Sequence, residues 1–190
     1  MSDKQNTIRD FIAEGFQQGW KHLDASRLTS DQTLEADVVI IGSGAGGGSS
    51  AEILAQSGLN VIIVEEGPLQ TSRDFHMKED EAYANLYQES AGRQTKDRGI
   101  KIFQGRMVGG GTGISWTTCF RTPSTTLKFW ADEMGVKGFS ENEMRPWFEW
   151  AEKRYNIQQW KVPPNANNST LEIGCEKLGV SWGKISRNVT

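Results

Sequence analysis

A glycine-rich turn after a short apolar run constrains the fold of this chain more than any other feature. Residues 37–41 read DVVII, and β-branched residues in an uninterrupted run predict a buried strand of a parallel sheet. Gly42, Gly44 and Gly47 follow directly in the spacing G-x-G-x-x-G. A glycine turn in this position is typical of proteins that bind a dinucleotide at the edge of such a sheet.

The residues after the turn complete a βαβ unit. Residues 49–57 predict a helix, and Gly58 stands where a left-handed residue would end it. Residues 59–64 predict a second buried strand, which ends at Glu65. The predicted fold class is therefore α/β, a Rossmann-like βαβ unit with additional helices, in what we expect to be an incomplete domain.

Each glycine of the motif has a physical role in a dinucleotide site. Gly42 permits a sharp turn, Gly44 lacks the Cβ that would block a pyrophosphate, and Gly47 lets the helix pack closely on the strand. The helix N-terminus offers N–H groups to phosphate oxygens, and Glu65 would accept hydrogen bonds from a ribose. NAD and FAD both use this unit, whereas a carboxylate at the ribose argues against NADP. The alternative is a glycine-rich turn in a βαβ unit without a cofactor.

A second glycine cluster, GRMVGGGTGISW, occupies residues 105–116. It follows a predicted helix at residues 78–91 and a predicted short strand at residues 100–104. The cluster has too many glycines for a helix and too many apolar residues for a solvated linker. Such backbone suits close contact with a flat ligand, and an ordinary tight loop is the alternative. Together, the two glycine loops favour one long cofactor that is contacted at two places. This favours FAD over NAD.

Residues 1–36 predict an amphipathic helix followed by a polar linker. After a capping box that begins at Thr7, apolar side chains recur at helical spacing: Ile8, Phe11, Ile12, Phe16, Trp20 and Leu23. We expect this apolar stripe to pack on the rest of the protein. Peripheral contact with a membrane or a partner is the alternative, because Phe and Trp suit an interface.

The patterns divide the chain into three regions. Residues 1–36 are the N-terminal helix and linker, and residues 37–120 are the FAD-binding, Rossmann-like part. Residues 121–190 are mainly helical and are interpreted as the start of a substrate or cap region. Ser140 and Ser169 each open a predicted helix there with capping-box spacing. Because a new apolar pattern starts near the end, we expect the front part of a longer polypeptide.

The composition argues against several other functions. The 190 residues carry 21 basic and 24 acidic side chains, and a net charge of −3 gives no reason to expect nucleic-acid binding. No apolar run reaches membrane-spanning length and no signal-peptide core is visible, so we expect a cytoplasmic protein. Cys119, Cys175, His22 and His76 are isolated, which indicates neither a disulfide framework nor a metal site.

Together, the two glycine motifs resemble those of the glucose–methanol–choline (GMC) family of FAD oxidoreductases. DVVIIGSGAGGG…VIIVEEGP is shared by many FAD folds, whereas GRMVGGGTGISW is the more specific motif. The resemblance covers nearly all of this chain and only the front part of a usual member. The N-terminal helix, the VEEGP segment and the VPPNANN segment are most similar to the long-chain alcohol oxidase branch.

The resemblance implies a role for each matching position. The pyrophosphate of FAD would be held by Gly42, Ser43, Gly44, Ala45, Gly46 and Gly47. Glu65 would bind the adenosine ribose, and Glu66 stands where the family often has a small residue. The flavin and its ribityl chain would be followed by Arg106, Val108, Gly109, Gly110, Gly111 and Thr112, with Trp116 nearby. Ser115 stands where the family has Asn or His; a His near this point anchors the flavin covalently in some members, so we expect non-covalent FAD here.

The reaction implied by the resemblance is hydride transfer from an alcohol carbon to flavin N5, with a histidine base that accepts the hydroxyl proton. In relatives this histidine comes from the C-terminal part, and neither His22 nor His76 falls in a matching motif. We therefore assign no catalytic residue, and we expect the FAD-binding part of an alcohol oxidase or dehydrogenase that is inactive in isolation. The alternatives are another FAD or NAD two-domain oxidoreductase and a non-catalytic or truncated dinucleotide-binding fragment.

Overall fold

A computed structural model describes residues 10–189, which divide into two compact units at Ser115 and Trp116. The first unit holds the glycine motifs up to Ser115, and the second holds the C-terminal helices. Thr7, where the predicted capping box begins, lies outside the described residues. Within the described part of the chain, no helix has both the length and the apolar character needed to span a membrane.

The N-terminal helix is shorter than the apolar spacing predicts. Helix α1 is Phe11–Gln17, and the chain reverses at Gly19, where φ is +96°. Trp20 and Leu23 therefore lie beyond the helix, and their inclusion in it was wrong. Glycine is the residue that adopts this left-handed backbone without strain, which is why the helix stops despite the continuing apolar pattern.

The start of α1 is fixed by Asp10. Its Oδ1 atom accepts a hydrogen bond of 3.0 Å from the N–H of Ala13, which is an N-cap interaction. Its Oδ2 atom lies 3.5 Å from Arg73 Nε, in the loop after the second strand. This ion pair joins the start of the helix to the loop after the second strand. Contact with a membrane or a partner through the helix stays a prediction.

The βαβ unit predicted by the glycine turn is confirmed. Strands β1, Val38–Ile41, and β2, Val61–Val64, pair in parallel, and helix α2, Ala45–Gln56, forms the crossover between them. The register aligns Val38 with Val61 and continues to the last residue of each strand. The fold class is α/β with a Rossmann-like unit, as the sequence indicates.

Helix α2 begins at Ala45, earlier than the predicted start at Ser49. Gly44 is its N-cap in extended backbone, and glycines occupy most of the first turn. Low helix propensity of glycine explains why the sequence pattern predicts too late a start. The helix ends as predicted, because Gly58 has the left-handed φ of +88°.

Close packing of α2 on β1 requires a residue without a Cβ. A Cβ at Gly47 would lie 2.0 Å from the carbonyl oxygen of Gly42 and 3.3 Å from Ile40 Cγ2. Helix α2 therefore covers the face of β1 that carries Ile40. The opposite face of this strand carries Val39, which is 58% exposed, and Ile41, which is 90% exposed. Among residues 10–189, nothing covers those two side chains.

Two predictions between the glycine clusters are wrong. Helix α3, Glu79–Leu86, ends because Tyr87 has extended backbone, and a separate 3₁₀ turn, Gln88–Ala91, replaces the predicted last turn. Residues 100–104 form no regular strand and only an isolated bridge to Gln94. Residues 93–95 run alongside, with hydrogen bonds from the N–H of Thr95 to the carbonyl of Ile100 and from the N–H of Ile102 to the carbonyl of Arg93, but the pairing is too short to form a regular ladder.

The second unit contains three helices and one short antiparallel ladder: α4 Ser124–Met134, α5 Glu141–Arg154, α6 Ala166–Leu178, β3 Gln158–Gln159 and β4 Ser186–Arg187. The predicted capping box between Ser140 and Glu143 is confirmed. The predicted cap at Ser169 is wrong, because Asn165 accepts a hydrogen bond of 2.9 Å from the N–H of Asn168 and starts α6 earlier.

Gly47→Ala tests the contact between α2 and β1. The added methyl group would lie 2.0 Å from a backbone oxygen, so α2 must shift, and we expect the free energy of unfolding to fall by about 2 kcal/mol. Gly48→Ala is the matched control, because its Cβ would meet nothing closer than 3.6 Å. This control is expected to stabilise the helix by about 0.5–1 kcal/mol. Urea unfolding followed by circular dichroism measures both, and equal stability of the two variants would contradict the close approach.

Candidate functional site

The first glycine loop presents a helix N-terminus with open space beside it. Gly44 caps α2 without a side-chain hydrogen bond, and the first turn contains no acidic residue. A Cβ at Gly44 or Gly46 would meet no atom of the protein within 4 Å. The first N–H groups of a helix lack intrahelical acceptors and lie at the positive end of its dipole. This arrangement suits the phosphate groups of a nucleotide.

Glu65, at the end of β2, is held from two sides. Its Oε2 atom accepts hydrogen bonds of 2.8 Å from the N–H of Ser43 and 2.7 Å from the hydroxyl of Ser43. Its Oε1 atom accepts a hydrogen bond of 3.0 Å from the N–H of Gly67. Desolvation alone would raise the pKa of Glu65, but the hydrogen bonds from Ser43 and Gly67 outweigh it and lower the pKa below its ordinary value.

The second glycine loop contacts the first directly. The N–H of Gly109 donates a hydrogen bond of 2.9 Å to the hydroxyl oxygen of Ser43. Gly109 has the left-handed φ of +98°, and a 3₁₀ turn, Gly110–Gly113, follows it. A Cβ at Gly110 would lie 3.0 Å from the Cα atom of Gly44, so side chains are excluded where the loops meet. The structure thus brings the two glycine clusters together at the N-terminus of α2.

A second acidic side chain ties the start of this loop to its surroundings. Glu66 Oε2 lies 3.5 Å from Arg106 Nε, and Glu66 Oε1 accepts a hydrogen bond from the side-chain amide of Gln88. Gln88 is buried, whereas Glu66 and Arg106 are partly exposed. Glu66, at a position where the resemblance implies a small residue, therefore has structural partners in Arg106 and Gln88.

The predicted site residues other than Trp116 lie in the first unit: Gly42, Ser43, Gly44, Ala45, Gly46, Gly47, Glu65, Glu66, Arg106, Val108, Gly109, Gly110, Gly111, Thr112 and Ser115. Val108 is held by a hydrogen bond of 3.0 Å from its N–H to the carbonyl of Pro68. The hydroxyl of Thr112 donates to the carbonyl of Gly109 at 2.6 Å, and Ser115 is exposed. Trp116 begins the second unit and is 84% exposed.

Sequence reasoning missed two residues that shape the site. A Cβ at Gly67 would lie 2.3 Å from backbone atoms of Arg106 and Met107, so Gly67 permits the second loop to pass. The position of Gly67 directly after Glu65 and Glu66 was the signal in the sequence that could have identified it. Gln88 had no such signal, because it was assigned to a helix that ends before it.

No base or metal ligand set accompanies these loops among residues 10–189. His22 lies in the N-terminal segment with its ring centroid 5.9 Å from that of Phe16, and His76 is exposed in the loop before α3. Within the same residues, no three His, Cys, Asp or Glu side chains come together as a metal site. The loops therefore offer backbone N–H groups, hydroxyl groups and the Glu65 carboxylate, which are groups suited to binding and orienting a ligand.

Comparisons with known proteins match the segments that carry both glycine loops. A family model described as GMC oxidoreductase matches residues 83–190, and one described as FAD binding domain matches residues 37–77. The long-chain-alcohol oxidase FAO4A of Arabidopsis thaliana is 33% identical over 155 residues, which is 82% of this chain and 21% of that protein. The long-chain-alcohol oxidase FAO3 of the same plant is 31% identical over 190 residues, 99% of this chain and 25% of that protein.

Among solved structures, pyridoxine 4-oxidase from Mesorbium loti matches 59% of this chain and 23% of that chain, with a TM-score of 0.43 and 23% sequence identity. The share of the relatives that is covered is small throughout. The chain spans 21% of the length of FAO4A and 25% of the length of FAO3. The similarity to both oxidases includes the two glycine motifs and the segment between them.

The lowered pKa of Glu65 predicts a pH dependence of stability. The Glu65 carboxylate takes up a proton more readily in the unfolded chain than in the folded protein. The protein therefore loses stability as the pH falls from 4.5, the ordinary pKa of a glutamate, through the lower pKa that Glu65 has in the folded state. Glu65→Gln removes this titration, and we expect the variant to lose less stability than the wild type between neutral pH and about pH 3. Urea unfolding of the cofactor-free protein at a series of pH values measures the difference. Parallel pH profiles of the two proteins would show that Glu65 is not held as described.

Proposed function

Because the chain belongs to the GMC oxidoreductase family, we propose that it forms the FAD-binding part of a flavoprotein that oxidises the CH–OH group of an alcohol. The cofactor is FAD, since the family model that matches residues 37–77 describes an FAD binding domain. The observation that carries the proposal is the contact between the two glycine loops at the N-terminus of α2. One elongated cofactor explains why both loops lack side chains at the same place.

The open space beside α2 fits the pyrophosphate of FAD. In this proposal the N–H groups of residues 45–47 donate to the phosphate oxygens, and the helix dipole offsets part of their charge. The absence of acidic residues from the first turn supports this assignment. Glu65, at the end of the neighbouring strand, accepts hydrogen bonds from the adenosine ribose.

The second glycine loop is proposed to follow the flavin and its ribityl chain. Its residues 108–112 present backbone rather than bulky side chains where they meet the first loop. The Glu66 carboxylate offsets the charge of Arg106, so the loop offers hydrogen-bond donors more than a net positive charge. Trp116 and Ser115 are proposed to lie beyond this loop on the side of the flavin ring.

When bound, FAD supplies the acceptor for a hydride that leaves the alcohol carbon. We propose that this chain holds the cofactor and keeps its own side chains away from the flavin ring. We assign no general base to it, because His22 and His76 lie outside both glycine loops. The two matched oxidases act, by their names, on long-chain alcohols, so alcohols of this class are the substrates to test first.

Anaerobic reduction of the flavin tests the proposed activity. In the intact protein, addition of an alcohol without oxygen is expected to bleach the visible absorbance of oxidised FAD, and the rate is expected to depend on chain length. Admission of oxygen then distinguishes an oxidase, which regains the absorbance, from a dehydrogenase. Failure of every alcohol in a graded series to bleach bound flavin would overturn the proposed activity. A purified protein with nicotinamide and no flavin would favour the NAD alternative.

Gly44→Ser tests the cofactor site without a loss of fold. The backbone of Gly44 has φ −63° and ψ −171°, which serine adopts readily, and serine is a preferred N-cap. We expect unchanged or slightly higher stability and at least a tenfold weaker FAD affinity, because the new side chain fills the pyrophosphate space. Flavin released by acid precipitation measures the bound FAD, and full release also checks that the attachment is non-covalent. Gly174→Ser, in α6, is the control that is expected to retain full FAD content.

A further inference from the structure

We propose that Ser43 is a positioning residue, whose hydroxyl joins the second glycine loop to the first and fixes the orientation of Glu65 toward the ribose. The inference rests on the proposed function, because it concerns the FAD site. It goes beyond that function in assigning to one side chain the relative placement of both loops. The resemblance assigns Ser43 only to the pyrophosphate, as one member of the first loop.

The hydrogen bonds of Ser43 use the hydroxyl as donor and acceptor at once. Its O–H donates to Glu65 Oε2 at 2.7 Å, and its oxygen accepts from the N–H of Gly109 at 2.9 Å. Both distances are those of well-formed hydrogen bonds. Its backbone N–H also donates to Glu65 Oε2, at 2.8 Å. One residue therefore connects the first loop, the end of β2 and the second loop.

The Glu65 carboxylate is fixed because each of its oxygens has a different donor. Ser43 holds Oε2, and the N–H of Gly67 holds Oε1 at 3.0 Å. Oε2 has two donors, the hydroxyl and the backbone N–H of Ser43, and a carboxylate oxygen with two donors is held more firmly than one with a single donor. Without the hydroxyl, Oε2 retains only the backbone N–H of Ser43, and the N–H of Gly109 loses its acceptor.

The contact between the loops depends on the same hydroxyl. Gly109 precedes the 3₁₀ turn that brings Gly110 against Gly44. A Cβ at Gly110 would lie 3.0 Å from Gly44 Cα, so this approach is made by van der Waals contact between backbones. Dispersion at one such contact is weak, and the hydrogen bond between Gly109 and Ser43 is the directional interaction that fixes the loop.

Ser43→Ala removes the hydroxyl and keeps the small side chain. In the intact protein we expect the FAD dissociation constant to rise about tenfold, which corresponds to about 1.4 kcal/mol. Ser50→Ala, which removes an exposed hydroxyl from α2, is the matched control and is expected to bind FAD like the wild type. Ser43→Thr keeps the hydroxyl and is expected to regain most of the affinity. Quenching of flavin fluorescence measures all four proteins.

The pH profile of binding separates positioning from a general loss of stability. With fewer donors on Glu65, Ser43→Ala is expected to lose FAD affinity at a higher pH than the wild type does. The neighbouring ion pair between Glu66 and Arg106 is the same in both proteins. Affinity equal to that of the wild type would overturn both parts of the proposal, and a loss of equal size at every pH would overturn the positioning of Glu65 by Ser43. Either result leaves the proposed function standing. A wild-type protein that binds no FAD would overturn the proposed function as well.

Discussion

The Glu65 carboxylate is the group on which the site depends, because it accepts hydrogen bonds from separate parts of the chain. Ser43 donates to it from the first glycine loop, and Gly67 donates from the turn after β2. Through Ser43 it is also connected to Gly109 of the second loop. A charged acceptor makes stronger hydrogen bonds than a neutral one, so these contacts favour one arrangement of the three segments.

The charges around the two glycine loops suit the dinucleotide that we propose they bind. The N-terminus of α2 is positive and carries no acidic residue in its first turn, which suits a pyrophosphate. The adjacent carboxylates, Glu65 and Glu66, would repel the same group if both were uncompensated. Hydrogen-bond donors stabilise the Glu65 carboxylate, and Arg106 offsets the charge of Glu66. In the proposed site, Glu65 would therefore face the ribose and not the pyrophosphate.

The sequence predicted the parts of this arrangement that have a fixed spacing and missed those that depend on tertiary contacts. Glycine spacing and the two apolar runs were sufficient for β1, β2 and the end of α2 at Gly58. The start of α2 was missed because packing on β1 overrides the poor helix propensity of glycine. The predicted strand at residues 100–104 was wrong because its pairing with residues 93–95 is limited to one isolated bridge. Contacts between loops, such as Ser43 with Gly109, leave no periodic signal.

With Glu65 at the ribose, as proposed, its hydrogen bonds would also disfavour NADP. A free glutamate could rotate away from a 2′-phosphate on the adenosine ribose and admit NADP. Glu65 is bound at both oxygens, so rotation would cost the hydrogen bonds from Ser43 and Gly67. Like any glutamate at neutral pH, Glu65 is ionised, and the same hydrogen bonds lower its pKa further, so in the proposed site a 2′-phosphate would meet a negative charge that is held in place. We therefore expect the hydrogen bonds that join the two loops to disfavour NADP as well.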